Sequence, residues 1–165
     1  MPSPGKLVII TPIMVLIGTA LYVTILTIPS FSSMFQVEIT STYVTWQQSS
    51  QYYKYRTIYG IEKISLSNYW EVVITVKNDG VIDTSITEIT INDRLIDEPI
   101  ICLSKRTGES VYDNYKVKIS SGESVKIVIL IPSNTSGTKD FRHGQIVEIK
   151  IRLKNRELVT VVALP

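Results

Sequence analysis

The chain holds little of what enzymes are commonly built with. Its 165 residues include one cysteine, Cys102, and one histidine, His143. A single cysteine excludes an intrachain disulfide, even in an oxidising compartment where bridges are permitted, so stability must come from the core. Cys102 sits in "EPIICLSK" beside Ile100 and Ile101 and reads as a small buried hydrophobe rather than a reactive thiol. A single histidine, set in "DFRHGQ", cannot make a His-pair metal site and has no cysteine cluster to join. It reads as a loop residue at a strand entry. No Gly-x-Ser-x-Gly elbow supports a Ser-His-Asp arrangement, and the glycines are scattered at turns rather than gathered into a phosphate loop. Neither catalysis nor a cofactor is expected.

Metal binding has one candidate, Asp79 and Asp83 in "NDGVID". The stretch lacks the ligand spacing and terminal bidentate Glu of an EF-hand loop, and Asn78-Asp79-Gly80 already has a use as a hairpin turn. No metal site is assigned. The formal charge of +2 includes Lys6, and no long basic run follows. Nucleic acid is excluded as a partner on that balance.

Charge is also missing from residues 7–28, "LVIITPIMVLIGTALYVTILTI", 22 positions without an ionisable carboxylate or amine. A helix of that length is roughly 33 Å long, enough for a hydrocarbon layer of about 30 Å. The amino terminus and Lys6 precede it, and no Lys or Arg follows before Lys54. That asymmetry predicts a cytoplasmic N-terminus (1–6), a transmembrane helix (7–28), a short linker (29–35) and an extracellular domain (36–165). The run is too long for a removable secretion signal and is not followed by small-x-small cleavage chemistry. Pro29 ends or kinks the helix, and Pro12 can kink its first turns.

From Gln36 onward the unbroken apolar block gives way to short alternating runs rich in Val, Ile, Thr and Tyr, separated by turn residues. Period two is the grammar of strands. "QVEITSTYVTW" alternates at first, Val37 and Ile39 against Glu38 and Thr40. "NYWEVVITVKNDG" sets Trp70, Val72, Ile74 and Val76 against Glu71, Val73, Thr75 and Lys77. "YKYRTIYG", "IEKISLS", "TSITEITIND", "VYDNYKVKI", "SVKIVILIP", "QIVEIKIRLKN" and "ELVTVVAL" follow the same grammar. About seven to nine strands with turns at this spacing predict an all-β domain, an immunoglobulin-like antiparallel β-sandwich behind one N-terminal helix.

Three surface features stand out. In "VEIKIRLKN" a row of Lys150, Arg152 and Lys154, with Glu148, opposes Val147, Ile149, Ile151 and Leu153; the row is a candidate partner-binding face or simply a solvated one. In "SVKIVILIP" both faces are apolar, so Val128 and Leu130 are either covered by chain or used at a subunit interface. Trp46, Tyr52, Tyr53, Tyr55 and Tyr59 form an aromatic region expected near the membrane end, where half-buried strand residues would give the same composition. Asn134-Thr135-Ser136 is the one glycosylation sequon, in a Ser/Gly loop after Pro132.

A membrane helix followed by "WEVVITVKNDGVIDTSITEITIND", "SSGESVKIVILIP" and "GQIVEIKIRLKNRELVTVVALP" resembles the exported domains of archaeal surface filaments. These include pilin-like and archaellin proteins and the archaellum stator proteins of the FlaF and FlaG kind. Archaeal prepilins and archaellins carry Lys or Arg followed by Gly just before the helix, whereas this chain has Gly5-Lys6. The reverse order favours the stator group. That resemblance implies a helix retained in the membrane, a homodimer or contact with other archaellum subunits, and binding to the surface-layer protein. A filament subunit is the alternative, and an extracellular sandwich that binds a small ligand is a further one.

Overall fold

The computed structural model describes residue 34 and residues 36–96, 99–133 and 141–165. These fall, Met34 excepted, in one unit, Phe35–Pro165. The expected span 7–28, the segment 1–6, most of the linker 29–35 and Asn134 lie outside the described residues. Among the described residues no helix is long and apolar enough to cross a membrane.

Twelve strands are found among the described residues: β1 (Val37–Gln47), β2 (Gln51–Thr57), β3 (Gly60–Leu66), β4 (Tyr69–Asn78), β5 (Thr84–Ile91), β6 (Arg94–Leu95), β7 (Ile101–Arg106), β8 (Asp113–Asn114), β9 (Lys118–Ile119), β10 (Ser124–Pro132), β11 (Ile146–Leu153) and β12 (Glu157–Ala163). One sheet runs β1-β4-β10-β7-β8, a second runs β12-β11-β5-β6 with β9 also on β5, and β2 pairs with β3 alone. Every strand pair is antiparallel.

The two larger sheets pack face to face. Val72, Ile74 and Val76 of β4 and Val125, Ile127, Ile129 and Ile131 of β10 meet Ile86, Ile89 and Ile91 of β5 and Val147, Ile149, Ile151 and Leu153 of β11 in one buried cluster. The period-two runs therefore do what alternation predicts, and the all-β sandwich expectation holds. Each fully buried side chain of this kind contributes about 1.5–3 kcal/mol against its exposed state.

In β1 the alternation breaks for a physical reason. The register with β4 shifts between Ile39 and Ser41. A bulge inserts one residue and flips the phase of everything after it, so Val37 and Ile39 face the core before it, and Val44 and Trp46 after it.

Asn78-Asp79-Gly80 is not a hairpin turn, in contrast to the expectation. It follows β4 of the first sheet, and the chain then enters β5 of the second, so this turn carries the chain across the sandwich. Asn78 is fully buried; its side-chain amide donates to the carbonyls of Ile82 (2.9 Å) and Ile119 (3.1 Å), and its Oδ1 accepts from Gly80 N (3.1 Å). One side chain thus joins three backbone groups where the chain crosses between the sheets.

The β2–β3 hairpin forms a third layer on the outer face of the first sheet. Tyr53, with Ile64 and Leu66, packs on Tyr69, Val73, Leu103, Val128 and Leu130 in a second buried cluster. Tyr53 Oη and Tyr69 Oη lie 2.8 Å apart. A parallel bridge ties Tyr55 to Tyr112, with Arg56 N donating to Tyr112 O and Tyr112 N to Lys54 O, both at 2.8 Å.

Candidate interaction surfaces

The double-sided apolar strand is covered by chain. Val128 and Leu130 are 2% and 0% exposed beneath the hairpin, so they offer no surface to another subunit in this fold. Their outward-facing positions demanded a cover, and the hairpin that supplies it lies some 60 residues away in sequence. Nothing in the β10 run identifies that cover.

The basic row stands on the solvent side of β11 as the alternation requires, but it is not a positive patch. Lys150 Nζ lies 2.5 Å from Asp93 Oδ1 and 3.0 Å from Glu148 Oε1. Arg152 reaches Glu88 at 3.0 Å and Glu157 at 3.7 Å. Bonds to Asp93 first, then Glu148, hold the Lys150 ammonium well above its ordinary range. Asp93 is brought there by the β5–β6 turn, where Asn92 and Asp93 both adopt positive φ, 49° and 63°, as a two-residue hairpin of the primed kind requires. Asn92 fixes the turn on β11: its Oδ1 accepts from Glu148 N and its own N–H donates to Glu148 O, each at 2.9 Å. Lys154 is exposed, and its backbone N–H donates to Ser85 O at 3.2 Å. Four carboxylates, from Glu88, Asp93, Glu148 and Glu157, thus accompany the three cations. A partner using this face must displace pairs that already exist.

His143 lies in the turn ahead of β11, as expected, and its surroundings are aromatic. Its ring stands edge-on to Trp46 (4.7 Å between centroids) and Trp70 (5.1 Å). Its Nδ1 is hydrogen-bonded to the Pro165 oxygen, which also accepts from Trp70 Nε1 at 3.1 Å. The imidazole closes one end of the sandwich. Trp46 pairs with Trp70 in the β1–β4 ladder, nine positions along the strand from Val37. At about 3.3 Å per residue that is roughly 30 Å from where the chain enters the domain, so Trp46 does not belong at the entry end, where the aromatic region was expected.

Cys102 is half-buried against the main core, and burial pushes its thiol pKa well up. A thiol held neutral is a poor nucleophile and a poor ligand. Asp79 pairs with Lys77 at 2.6 Å. Asp83 takes Lys118 at 2.6 Å and Ser121 N at 3.0 Å, and the Lys118 bond first, then the Ser121 N–H, hold its carboxyl below the usual range. Both aspartates serve loop geometry. Among the described residues no group of three or more His, Cys, Asp or Glu side chains is arranged to hold a metal ion.

The hairpin shows its tyrosines in two settings. Tyr53 is buried, and Tyr55 is half-buried with its hydroxyl donating to Glu62 at 2.9 Å. Tyr52 and Tyr59 are exposed, as are Ile58 and Ile61. Between the hairpin's end and β7–β8 lies an open depression of about 930 Å³, with Tyr55, Ile58, Ile101 and Asp113 on its walls. Arg56 crosses its rim to Asp113 at 3.2 Å. No protein-family model matches this chain, and no curated protein matches it either.

Proposed function

We propose that this chain is a membrane-anchored extracellular structural component of the archaellum motor, a stator whose domain contacts the surface-layer protein. The reading rests on one juxtaposition: an uncharged 22-residue run in 7–28, followed within a few residues by a stiff two-sheet domain whose core is its own. A motor that turns a filament needs a static element tied to both membrane and wall, and such an element needs no active site. The first strand after the linker supports the same reading. β1 is laddered to β4 through ten register pairs, and β4 is itself paired on its other side with β10. A pull applied at Val37 therefore loads many hydrogen bonds together.

In this reading the domain is an immunoglobulin-like sandwich behind one transmembrane helix, with the N-terminus cytoplasmic and the domain outside. Its partners are the surface-layer protein and a second copy or other archaellum subunits. Mass spectrometry of the native N-terminus is the first test. Intact Met1 or Pro2 supports a retained anchor, whereas a start at Leu7 replaces it with a filament subunit. Retention of surface-layer protein by immobilised residues 35–165 is the second test, and failure to retain it removes the stator role.

A further inference from the structure

We propose that the end of the β2–β3 hairpin is a membrane-contacting prong that seats on an anionic lipid surface. Ile58 and Tyr59 occupy the corner of the turn and are 91% and 89% exposed. Turn corners are ordinarily taken by Gly, Asn, Asp or Pro, for conformational reasons that neither Ile nor Tyr serves. Large apolar side chains there add nothing to the core, and Ile61, also exposed, stands next to them on β3. Contiguous exposed apolar groups of this kind mark interaction sites.

The prong is rigid. The Thr57 hydroxyl shares its one proton between Gly60 O (3.2 Å) and Glu62 Oε1 (3.1 Å) and accepts from Tyr59 N (3.2 Å). Gly60, at φ 130°, adopts a conformation that side-chain-bearing residues avoid. Lower down, the buried Tyr53–Tyr69 pair and the Tyr55–Tyr112 bridge fix the hairpin to the sheet. Ordering costs on binding are correspondingly small.

Charge selects the surface. Alternation along the hairpin puts Tyr52, Lys54 and Arg56 of β2 and Ile61, Lys63 and Ser65 of β3 on the outer side, where Arg56 is paired with Asp113 of β8 and no carboxylate of the hairpin itself stands. Lys54 and Lys63 are directly opposite each other in the ladder. Like charges so placed repel, and among the described residues neither lysine's ammonium group makes an ion pair or hydrogen bond. The one acid on the hairpin, Glu62, is solvent-exposed on the opposite face, where it is hydrogen-bonded by Tyr55 and Thr57. Apolar groups leading, with lysines behind them able to reach headgroup oxygens along their flexible stems, is the arrangement that interfacial binding uses. A protein partner would need a socket shaped to a protruding turn, whereas a lipid surface adapts to it.

The test is co-sedimentation of residues 35–165, a unit that contains both of its apolar clusters, with vesicles of equal parts phosphatidylglycerol and phosphatidylcholine. The expected result is binding at low salt that is lost at high salt and on pure phosphatidylcholine. Lys54→Gln and Lys63→Gln should each weaken it about fivefold, the equivalent of about 1 kcal/mol per cation near an anionic surface. Ile58→Ser with Tyr59→Ser should weaken it at least tenfold with an unchanged melting temperature, since these side chains are almost fully exposed. No binding at low salt, equal binding to phosphatidylcholine, or equal binding by the variants overturns the proposal. A dimer abolished by the Ile58/Tyr59 variant, without vesicle binding, also overturns it and assigns the prong to a second copy. The outcome is independent of the anchor, because the fragment lacks residues 7–28.

Discussion

Two apolar clusters hold the domain, and they are made differently. Between the sheets the buried residues are Val, Ile and Leu with a single Trp70. Beneath the hairpin, Tyr53 and Tyr69 stand with Val73, Leu103, Val128 and Leu130, and two hydroxyls are buried against each other. The first cluster needs only periodicity and complementary shape. The second also needs a donor and an acceptor to meet, because a phenol buried without a partner is costly. The hairpin is therefore located by a specific contact between side chains, while the sheets are held mainly by apolar area, with the Asn78–Ile119 bond joining them at one end.

The widest separation should come from truncating each cluster in turn. Ile149→Ala, at a fully buried site between the sheets, should cost about 2–5 kcal/mol and lower the urea midpoint of every probe together. Leu130→Ala, equally buried but beneath the hairpin, should cost about 2–4 kcal/mol with a different signature. Hydrogen exchange in 51–66 should accelerate more than in β11, because the hairpin pairs with neither sheet as a strand. Equal acceleration in both would show that the layers unfold as one.

That difference also explains what the sequence discloses. β4, β5, β11 and β12 follow from alternation, as does the inward row Val147, Ile149, Ile151 and Leu153, and β10 follows from an unbroken Val/Ile/Leu run. β7 is harder to see, since "ICLSKR" alternates weakly and its burial depends on lying between β10 and β8. "VYDNYKVKI" reads as one strand yet yields only the two-residue β8 and β9, which belong to different sheets. Periodicity describes a strand's own faces, not its neighbours. For the same reason Val128 and Leu130 announce that something covers them without naming Tyr53, and Lys150 and Arg152 look like a basic row until the turn at Asn92-Asp93 and the strand partners Glu88 and Glu157 bring carboxylates beside them.

Tyr53→Phe sharpens the comparison through chemistry rather than volume. It leaves the ring in place and removes one hydroxyl, so Tyr69 Oη loses its 2.8 Å partner, at about 1–2 kcal/mol. The pH dependence is the more discriminating measurement. Burial first, then the bond to Tyr69 and the nearby Glu71, push the Tyr53 pKa far above that of a free phenol. Burial first, with Glu71 adding and the Tyr53 bond opposing, raises Tyr69 as well. In the unfolded chain both ionise near pH 10, so above that pH the unfolded state holds fewer protons than the folded one. The stability these groups contribute is intact below pH 10 and declines as pH rises beyond it. Phe at position 53 should flatten that alkaline decline, whereas Ile149→Ala should lower the curve without changing its slope. A decline of unchanged steepness in Tyr53→Phe would place the alkaline sensitivity elsewhere, for instance in Lys150, whose raised pKa acts in the same direction.

The smallest effect is expected at Arg152. Its side chain is 55% exposed, and the guanidinium divides itself between Glu88 at 3.0 Å and Glu157 at 3.7 Å. Exposed pairs gain little, because water and salt screen the charges and holding a long side chain in place costs entropy. Arg152→Gln should move the urea midpoint less than any substitution in either cluster, and added salt should shrink the difference further. The same substitution is informative about partners. If the β11 face binds an acidic protein, Arg152 must leave Glu88 and Glu157 to do so, and the variant should lose binding while keeping its stability. If Arg152→Gln leaves both unchanged while Lys54→Gln on the hairpin weakens association, the functional cations are those without a carboxylate beside them.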